Sequence, residues 1–143
     1  MEEWHYNKQI IKTINMNTKR KNIGGWVLSG IIGLMLLASA FDKIRSSEHA
    51  LQMASSFGIS AKPYAILGII EALSVVLFLF SRTGILGLLL LTSYLGGAIA
   101  THLQHGQDIL FPAVIEALVW MAAVIRFPEL SIRILKRKEN KEA

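Results

Sequence analysis

Hydrophobic residues in this chain are gathered into four long runs separated by short polar segments. The runs cover residues 23–41, 63–80, 84–103 and 109–127. A bilayer core of about 30 Å needs roughly 20 helical residues to cross it, and backbone in lipid must satisfy its own hydrogen bonds. The pattern therefore predicts an all-α protein, an antiparallel bundle of four transmembrane helices.

Two of the connections between the runs are too short for anything but a tight turn. Residues 81–83 join the second run to the third, and residues 104–108 join the third to the fourth. Helices joined by so few residues pack as antiparallel neighbours. We therefore expect the third helix to contact both the second and the fourth.

The first connection, residues 42–62, is longer and has a helical pattern of its own. Its apolar residues recur at helical spacing: Ala50, Leu51, Ala54 and Phe57. Ser46 or Ser47 can cap the start of a helix here, and Gly58 can end it. The segment is predicted to be a short amphipathic helix in the first extracytoplasmic loop.

Basic residues are distributed unequally among the connections. Of 15 Lys and Arg residues, twelve lie in the N-terminal arm, the second connection and the C-terminal segment, and three lie in the first and third connections. The positive-inside rule places the more basic side in the cytoplasm. Both termini are thus predicted to be cytoplasmic, with a basic arm at 1–21, a membrane domain at 22–130 and a basic tail at 131–143. A start at Met16 instead of Met1 is a second reading of the arm.

Charge and cysteine content narrow the function classes. The basic excess is confined to the ends and one loop, whereas a nucleic-acid surface needs basic residues along an ordered face, so no nucleic acid is expected as a partner. The chain has no cysteine for a thiolate or an iron–sulfur site, and only His102 lies in a run, so a haem held between two membrane histidines is not possible. No intrinsic cofactor is therefore expected, and redox chemistry would need a borrowed one. His102, His105 and Asp108 match no recognised ligand pattern, so no metal site is expected.

Ionisable side chains in or beside the runs are the functional candidates, because a charge at membrane depth is expensive. Glu71 lies eight residues after Pro63 and Glu116 seven after Ile109, roughly 12 Å and 10 Å from the predicted outer boundary. Both carboxyls therefore fall in the outer half of the bundle. The predicted polar pocket consists of Asp42, Lys43, Glu71, Tyr94, His102, Glu116 and Trp120.

Such a pocket suits a quinone or a similar amphiphile. A histidine or tyrosine can bond a ring oxygen, a carboxyl can exchange protons, and aromatic side chains can cover the ring. The alternative is that Glu71, Glu116 and His102 bond one another, or Lys43, and only hold the bundle together.

Small residues recur on three of the predicted helices, where they allow close helix contacts. They are Ser29, Gly33 and Ala40 on the first, Ala65, Gly68 and Ala72 on the second, and Ser93, Gly97 and Ala100 on the third. Ordinary helix packing is the interpretation we prefer for them.

Several short motifs occur in order between residues 24 and 130. They are Ala-Ser-Ala-Phe-Asp-Lys-Ile at 38–44, Gly-Ile-Ile-Glu-Ala at 68–72, Ser-Arg-Thr-Gly-Ile-Leu-Gly at 81–87 and Tyr-Leu-Gly-Gly-Ala-Ile-Ala-Thr-His-Leu-Gln-His-Gly at 94–106, followed by Pro112, Trp120 and Arg-Phe-Pro-Glu-Leu at 126–130. In this order and spacing they resemble the DoxX-like family of small four-span membrane proteins. The resemblance implies a bacterial inner-membrane location and motif positions at Lys43, Glu71, Tyr94 and His102. Ala40, where a glycine is usual, and Glu116 depart from the family pattern.

The resemblance favours a redox accessory over other functions. Relatives are named for a subunit associated with quinol oxidation, and others resemble membrane partners of soluble redox or sulfur-handling enzymes. We therefore expect a bilayer protein that binds a quinone-like molecule and works with a soluble or membrane redox enzyme, with no self-sufficient catalytic motif. The alternative is a non-enzymatic protein, either a structural membrane partner or a proton-coupled carrier that forms a homo-oligomer.

Overall fold

A computed structural model describes residues 2–130 of the chain, and it describes side chains for residues 23–130. Helix α1 covers Glu2–Ile44, α2 Glu48–Ser56, α3 Ala61–Leu79, α4 Gly84–Gln104 and α5 Leu110–Arg126. This part of the chain contains no strand, which confirms the all-α prediction. The predicted arm continues into the first apolar run as one helix, and the predicted tail at 131–143 lies outside the described residues.

Prolines mark the starts of two helices and the end of one. Pro63 lies in the first turn of α3 and Pro112 in the first turn of α5, where the missing backbone N–H has no partner within the helix. Pro128 follows the end of α5 at Arg126, because the residue before a proline is driven out of the helical conformation. The ends of α3, α4 and α5 agree with the predicted boundaries to within two residues.

Helix α2 confirms the helix predicted in the first connection. Ser47 caps it by accepting a hydrogen bond from the backbone N–H of Ala50 at 3.1 Å. Gly58, beyond its end, has a φ of 63°, which suits glycine. Ala50 and Ala54 are buried, whereas Leu51 is exposed. The buried face is therefore narrower than the apolar pattern predicted.

The four long helices of the described chain pack side by side in a ring. Helix α1 contacts α3 and α5, and α4 contacts the same two helices, so both predicted hairpin pairs are neighbours. The shared core is apolar: Ile32, Leu36, Val75, Phe78, Leu88, Leu91, Leu95, Ile115, Val119, Ala122 and Ala123. Helix α2 packs against α1 and α3 at one end of the ring, which we call the α2 end.

Three helices within residues 2–130 are long and apolar enough to cross a membrane. They are Ile23–Ile44, Ala61–Leu79 and Gly84–Gln104, with 22, 19 and 21 residues. These lengths match the roughly 20 residues that a bilayer core requires. Helix α5 is shorter, with 17 residues, so the fourth span and the orientation of the helices in the membrane stay predictions.

Small residues permit close helix contacts at some predicted positions and not at others. A Cβ atom on Gly68 would lie 2.8 Å from the Ala40 carbonyl oxygen, where α3 meets α1. A Cβ atom on Gly87 would overlap the backbone of Phe78, where α4 meets α3. Gly97, one of the residues predicted to pack, has open space at its side-chain position. The packing prediction is therefore wrong for Gly97, because the close contact of α4 with α3 is made at its other end.

Candidate ligand-binding site

An ion pair joins α1 and α3 near the α2 end. The Nζ atom of Lys43 lies 2.7 Å from Oε2 of Glu71, and the two side chains are only 15% and 2% exposed. Gly68, one turn before Glu71, allows this approach because its missing side chain leaves room for the Lys43 Cβ atom. Each charge compensates the other, which removes much of the penalty of burying either one alone.

Three further side chains complete a polar cluster around the pair. Ser39 Oγ accepts a hydrogen bond from Lys43 Nζ at 2.8 Å, and the Tyr94 hydroxyl donates to Glu71 Oε2 at 3.2 Å. Nζ also lies 5.7 Å from the Tyr94 ring centroid and 5.9 Å from that of Tyr64, within the range of cation–π attraction. We call these five residues, which come from α1, α3 and α4, the ion-pair cluster.

A cavity of about 700 Å³ adjoins the ion-pair cluster. Small-molecule pockets have volumes of about 300–1,000 Å³. All five residues of the cluster line the cavity, and most of the other lining side chains are apolar. The cavity brings together these predicted site residues: Asp42, Lys43, Glu71, Tyr94 and His102.

Helix α2 forms one wall of this cavity. Its lining residues are His49, Ala50 and Met53. Phe57, directly after the helix, also lines the cavity, and its ring centroid lies 4.9 Å from that of His102. The amphipathic helix therefore belongs to the candidate site, and it connects the site to the end of α4.

His102 has one ring nitrogen committed to the backbone. Its Nδ1 atom lies 2.8 Å from the carbonyl oxygen of Ala98. Because a carbonyl oxygen only accepts hydrogen bonds, this contact requires the proton on Nδ1. In the neutral ring, Nε2 is then an acceptor, which suits a ligand hydroxyl.

Asp42 pairs with α2 and not with the ion-pair cluster. Its Oδ2 atom lies 3.2 Å from Nδ1 of His49, and the side chains of both residues are well exposed. Asp42 and His49 therefore belong to the solvent-facing edge of the cavity, whereas Glu71 lies at its buried side.

The structure does not bring Glu116 and Trp120 to the cavity. The side of α5 that faces the ring carries Ile115 and Val119, both buried. Glu116 and Trp120 each follow one of these residues, so they lie about 100° further around the helix, half-buried. Trp120 packs against the apolar core. The two residues share a face, as their spacing predicts, but that face lies outside the candidate site.

Several residues that line the cavity were not predicted from the sequence, although the helical spacing of two of them could have identified them. Ser39 lies four residues before Lys43, and Tyr64 lies seven before Glu71. Both spacings place side chains on the same face of a helix. No comparable signal pointed to His49, because its place beside Asp42 depends on how α2 folds back.

A metal site is not formed by the described residues. No group of three or more His, Asp or Glu side chains among residues 23–130 is close enough to hold a metal ion. His105 Nδ1 instead lies 2.8 Å from the carbonyl oxygen of Thr101.

At the end opposite α2, Arg126 reaches from α5 into the ring. Its Nη1 atom donates to Ser29 Oγ and to the Phe78 carbonyl oxygen, both at 3.1 Å, and Nη2 donates to the Leu79 carbonyl oxygen at 3.3 Å. The residue is only 8% exposed, and its guanidinium carbon lies 3.9 Å from the Trp26 ring centroid. We call these five residues the Arg126 cluster.

The Arg126 cluster closes the C-terminal end of α3. The last carbonyl groups of a helix have no partner within the helix, and a positive charge there complements the helix dipole. Each of these groups is bonded: Val76 by the Phe80 N–H, Leu77 by the Thr83 hydroxyl, and Phe78 and Leu79 by Arg126. Sequence reasoning counted Arg126 only as a basic residue of the cytoplasmic side and missed this contact.

The fold and the site define a helical membrane protein in which polar residues from three helices adjoin a largely apolar cavity. The chain belongs to the DoxX-like family, whose model matches residues 27–122. This confirms the resemblance read from the motifs. The matched region contains Lys43, Glu71, Tyr94 and His102 and ends before Arg126. Comparison with curated proteins and with solved structures found no match.

Proposed function

We propose that this protein binds a quinone or a similar amphiphile within the membrane and serves as an accessory subunit of a redox enzyme. The observation that carries the proposal is the position of the ion-pair cluster, whose side chains line a cavity of about 700 Å³. Several of its lining residues are exposed, so it is an open pocket, and its volume lies within the range of small-molecule sites. An ion pair that only joined two helices would need no such space beside it.

The ion-pair cluster offers both a donor and acceptors to a ligand. Lys43 uses two of its three N–H donors on Ser39 and Glu71, which leaves one for a ligand oxygen. A quinone carbonyl accepts this bond, because the single hydrogen of the Tyr94 hydroxyl is already donated to Glu71. A quinol hydroxyl instead donates to Glu71, to the Tyr94 oxygen or to Nε2 of His102. The apolar walls hold the rest of the molecule.

The proposed ligand supplies the redox chemistry, and the protein supplies binding and protons. Without cysteine, the chain has no thiolate to carry electrons or to hold an iron–sulfur cluster. Electrons therefore come from a soluble or membrane redox enzyme that acts as partner. Reduction of a quinone also consumes protons, and Glu71 is positioned beside the cavity to exchange them.

We further propose a four-span topology in the bacterial inner membrane with both termini in the cytoplasm. The 17 residues of α5 extend about 26 Å, close to the core thickness of about 30 Å. The distribution of basic residues favours this orientation. It places the cavity and α2 in the outer half of the membrane.

Native mass spectrometry of the gently extracted protein, with chemical extraction of any bound molecule, tests the proposal. Wild type is compared with Tyr94→Phe, Glu71→Gln and His102→Ala. Glu116→Gln is the matched control, because it makes the same chemical change outside the cavity. We expect an amphiphile bound to wild type and to the control, and a reduced bound fraction in the three site variants.

Circular dichroism of each variant separates loss of ligand from loss of fold. An amphiphile retained equally by all site variants while they stay folded would place the ligand elsewhere. A wild type that carries no small molecule, and takes up none from added quinone, would contradict the proposal.

A second function is favoured by the ion pair itself. The 2.7 Å contact between the nearly buried Lys43 and Glu71 side chains ties α1 to α3, and polar contacts of this kind hold membrane helices together. In that case the protein is a structural partner or a carrier, and the carboxyl has no ligand role. Site variants that only lower thermal stability, with no bound molecule in wild type, would support it.

A further inference from the structure

Helices α3 and α4 are in close contact at one end, and open space lies beside α4 near the α2 end. On α4, Gly87, Leu90, Tyr94 and Gly97 recur every three or four residues, so they share one side of the helix. That side faces α3. Gly87 lies against the backbone of Phe78, and the Tyr94 hydroxyl bonds to Glu71.

The gap begins beyond Tyr94 on the same side of α4. No side-chain or neighbouring-helix atom lies within 4 Å of the position that a Cβ of Gly97 would occupy. At Gly87, ten residues earlier, the same construction overlaps α3. Helix α4 therefore contacts α3 closely at Gly87, whereas open space lies beside it at Gly97, which lines the cavity.

Cavity-lining residues reach the surface of the protein in this gap. Ile70 on α3 and Leu90 on α4 both line the cavity, yet they are 43% and 39% exposed. Gly97 lines the cavity and is exposed as well. Both helices are long and apolar enough to cross a membrane, so the surface between them faces lipid. We call Ile70, Leu90, Tyr94 and Gly97 the α3–α4 seam.

We propose that the α3–α4 seam holds the apolar chain of a ligand whose polar ring is bound at the ion-pair cluster, and that the ligand enters from the lipid phase. This inference rests on the proposed function and narrows its ligand to molecules with a long apolar chain. Tyr94 joins the two parts, because it lines the seam and bonds to Glu71. Gly97 sets the width of the seam, since its missing side chain leaves the space that a chain would occupy.

The two ends of the cavity do not offer the chain an apolar exit. Helix α2 covers the end of the cavity with His49, Met53 and Phe57. At the opposite end, the contact of Gly87 with Phe78 closes α4 against α3. A chain that left through the α2 end would meet water, whereas a chain in the seam stays in lipid.

Gly97→Phe and Gly96→Phe form a matched pair for the test. Both glycines are exposed and have no atom within 4 Å of a Cβ, but only Gly97 lines the cavity. Binding is measured in lipid nanodiscs with tritium-labelled decylubiquinone and with the same quinone ring lacking the decyl chain. We expect Gly97→Phe to weaken decylubiquinone binding by about tenfold or more and to leave binding of the bare ring nearly unchanged, while Gly96→Phe resembles wild type for both.

A reversible block keeps the test valid if Gly97→Phe fails to fold. Because the chain has no cysteine, Gly97→Cys provides a single thiol that a benzyl methanethiosulfonate reagent can modify and a reductant can restore, with the reductant removed before the quinone is added. Loss of decylubiquinone binding on modification and recovery on reduction, absent in Gly96→Cys, supports the seam.

Three results overturn the inference in different ways. If wild type binds both probes and both glycine variants bind them equally, the chain leaves elsewhere, for example beside the exposed Met35 and Phe111, and only the seam is excluded. If Gly97→Phe weakens both probes equally, the substitution disturbs the ring site and the seam has no role in selecting the chain. If wild type binds neither probe, quinone binding itself fails, and with it the proposed function.

Discussion

The two polar clusters of this protein lie at opposite ends of the same helix ring, and a buried charge is stabilised by different partners in each. In the ion-pair cluster, Lys43 and Glu71 compensate each other beside a cavity of about 700 Å³. In the Arg126 cluster, the charge has neutral partners: carbonyl groups at the end of α3, one hydroxyl and the face of Trp26. Among residues 23–130, no carboxylate forms an ion pair with Arg126.

The difference shows that burial of an ionisable residue does not by itself identify a functional site. Arg126 is more than nine-tenths buried, but two of its hydrogen bonds go to the carbonyl groups that end α3 and a third goes to Ser29 on α1, which is a structural task. Lys43 and Glu71 also join helices, yet their remaining hydrogen-bonding capacity faces a space that can hold a molecule. A binding cluster is therefore distinguished from a structural one by the cavity beside it and not by the buried charge.

The largest effect is expected from Lys43→Met, which leaves Glu71 buried without its counter-charge. Breaking a buried ion pair by removing one partner lowers the free energy of unfolding by about 3–5 kcal/mol. Combining it with Glu71→Gln removes the uncompensated charge and should restore much of the loss. Thermal denaturation in detergent measures both variants. Equal stability of the single and double variants would show that the uncompensated Glu71 charge is not the cause of the loss.

Arg126→Met should destabilise the protein by about 2–4 kcal/mol, because the Phe78 and Leu79 carbonyl groups lose their partner. Quinone binding measured on the same sample shows whether the Arg126 cluster contributes to binding or only to stability. We expect binding per folded molecule to stay at the wild-type level. Loss of binding at a temperature where the variant is fully folded would mean that the two ends are coupled.

Tyr94→Phe tests the ion-pair cluster with little change in packing. The variant loses only the hydroxyl that donates to Glu71 at 3.2 Å, so the free energy of unfolding should fall by about 0.5–1.5 kcal/mol. Quinol binding should weaken by about tenfold, because the Tyr94 oxygen no longer accepts a hydrogen bond of about 1.4 kcal/mol from a quinol hydroxyl. Glu116→Gln is the control for binding. Unchanged quinol affinity in Tyr94→Phe would remove this hydroxyl from the proposed recognition.

Ser29→Ala is expected to have the smallest effect. The Ser29 hydroxyl accepts one bond from Arg126 and donates to the Gly25 carbonyl oxygen at 2.8 Å. Hydrogen bonds between membrane helices contribute about 0.6 kcal/mol on average, so the melting temperature should fall only slightly. A drop as large as that of Arg126→Met would show that Ser29, and not the α3 carbonyl groups, is the main partner of the guanidinium.

Much of the candidate site could be predicted from the sequence. The errors in the prediction have one cause in common. Lys43, Glu71, Tyr94 and His102 could be selected because polar residues at membrane depth are rare and therefore conspicuous. Glu116 satisfied the same criterion but lies outside the cavity. This criterion gives the position of a residue along its helix. Whether the residue belongs to the site also depends on which side of the helix its side chain occupies.

Gly97 and His49 are two further residues whose surroundings could not be predicted from the sequence. The small side chain of Gly97 predicted close packing, but α4 approaches α3 at Gly87 instead, so the same residue type marks a contact at one end and a gap at the other. His49 became a lining residue because α2 folds back over the cavity. Both outcomes depend on where a second helix lies.

The sequence by itself determined helices α2 to α5, their approximate ends and the position of each polar residue along its helix. These features follow from local chemistry: the length of an apolar run, a proline in a first turn, a serine cap and a rise of about 1.5 Å per residue. Tertiary structure alone decided which side chains meet. Each residue turns a helix by about 100°, so the rotation of α5 about its axis decides whether Ile115 or Glu116 faces the ring, and that rotation is set by packing against α1 and α4.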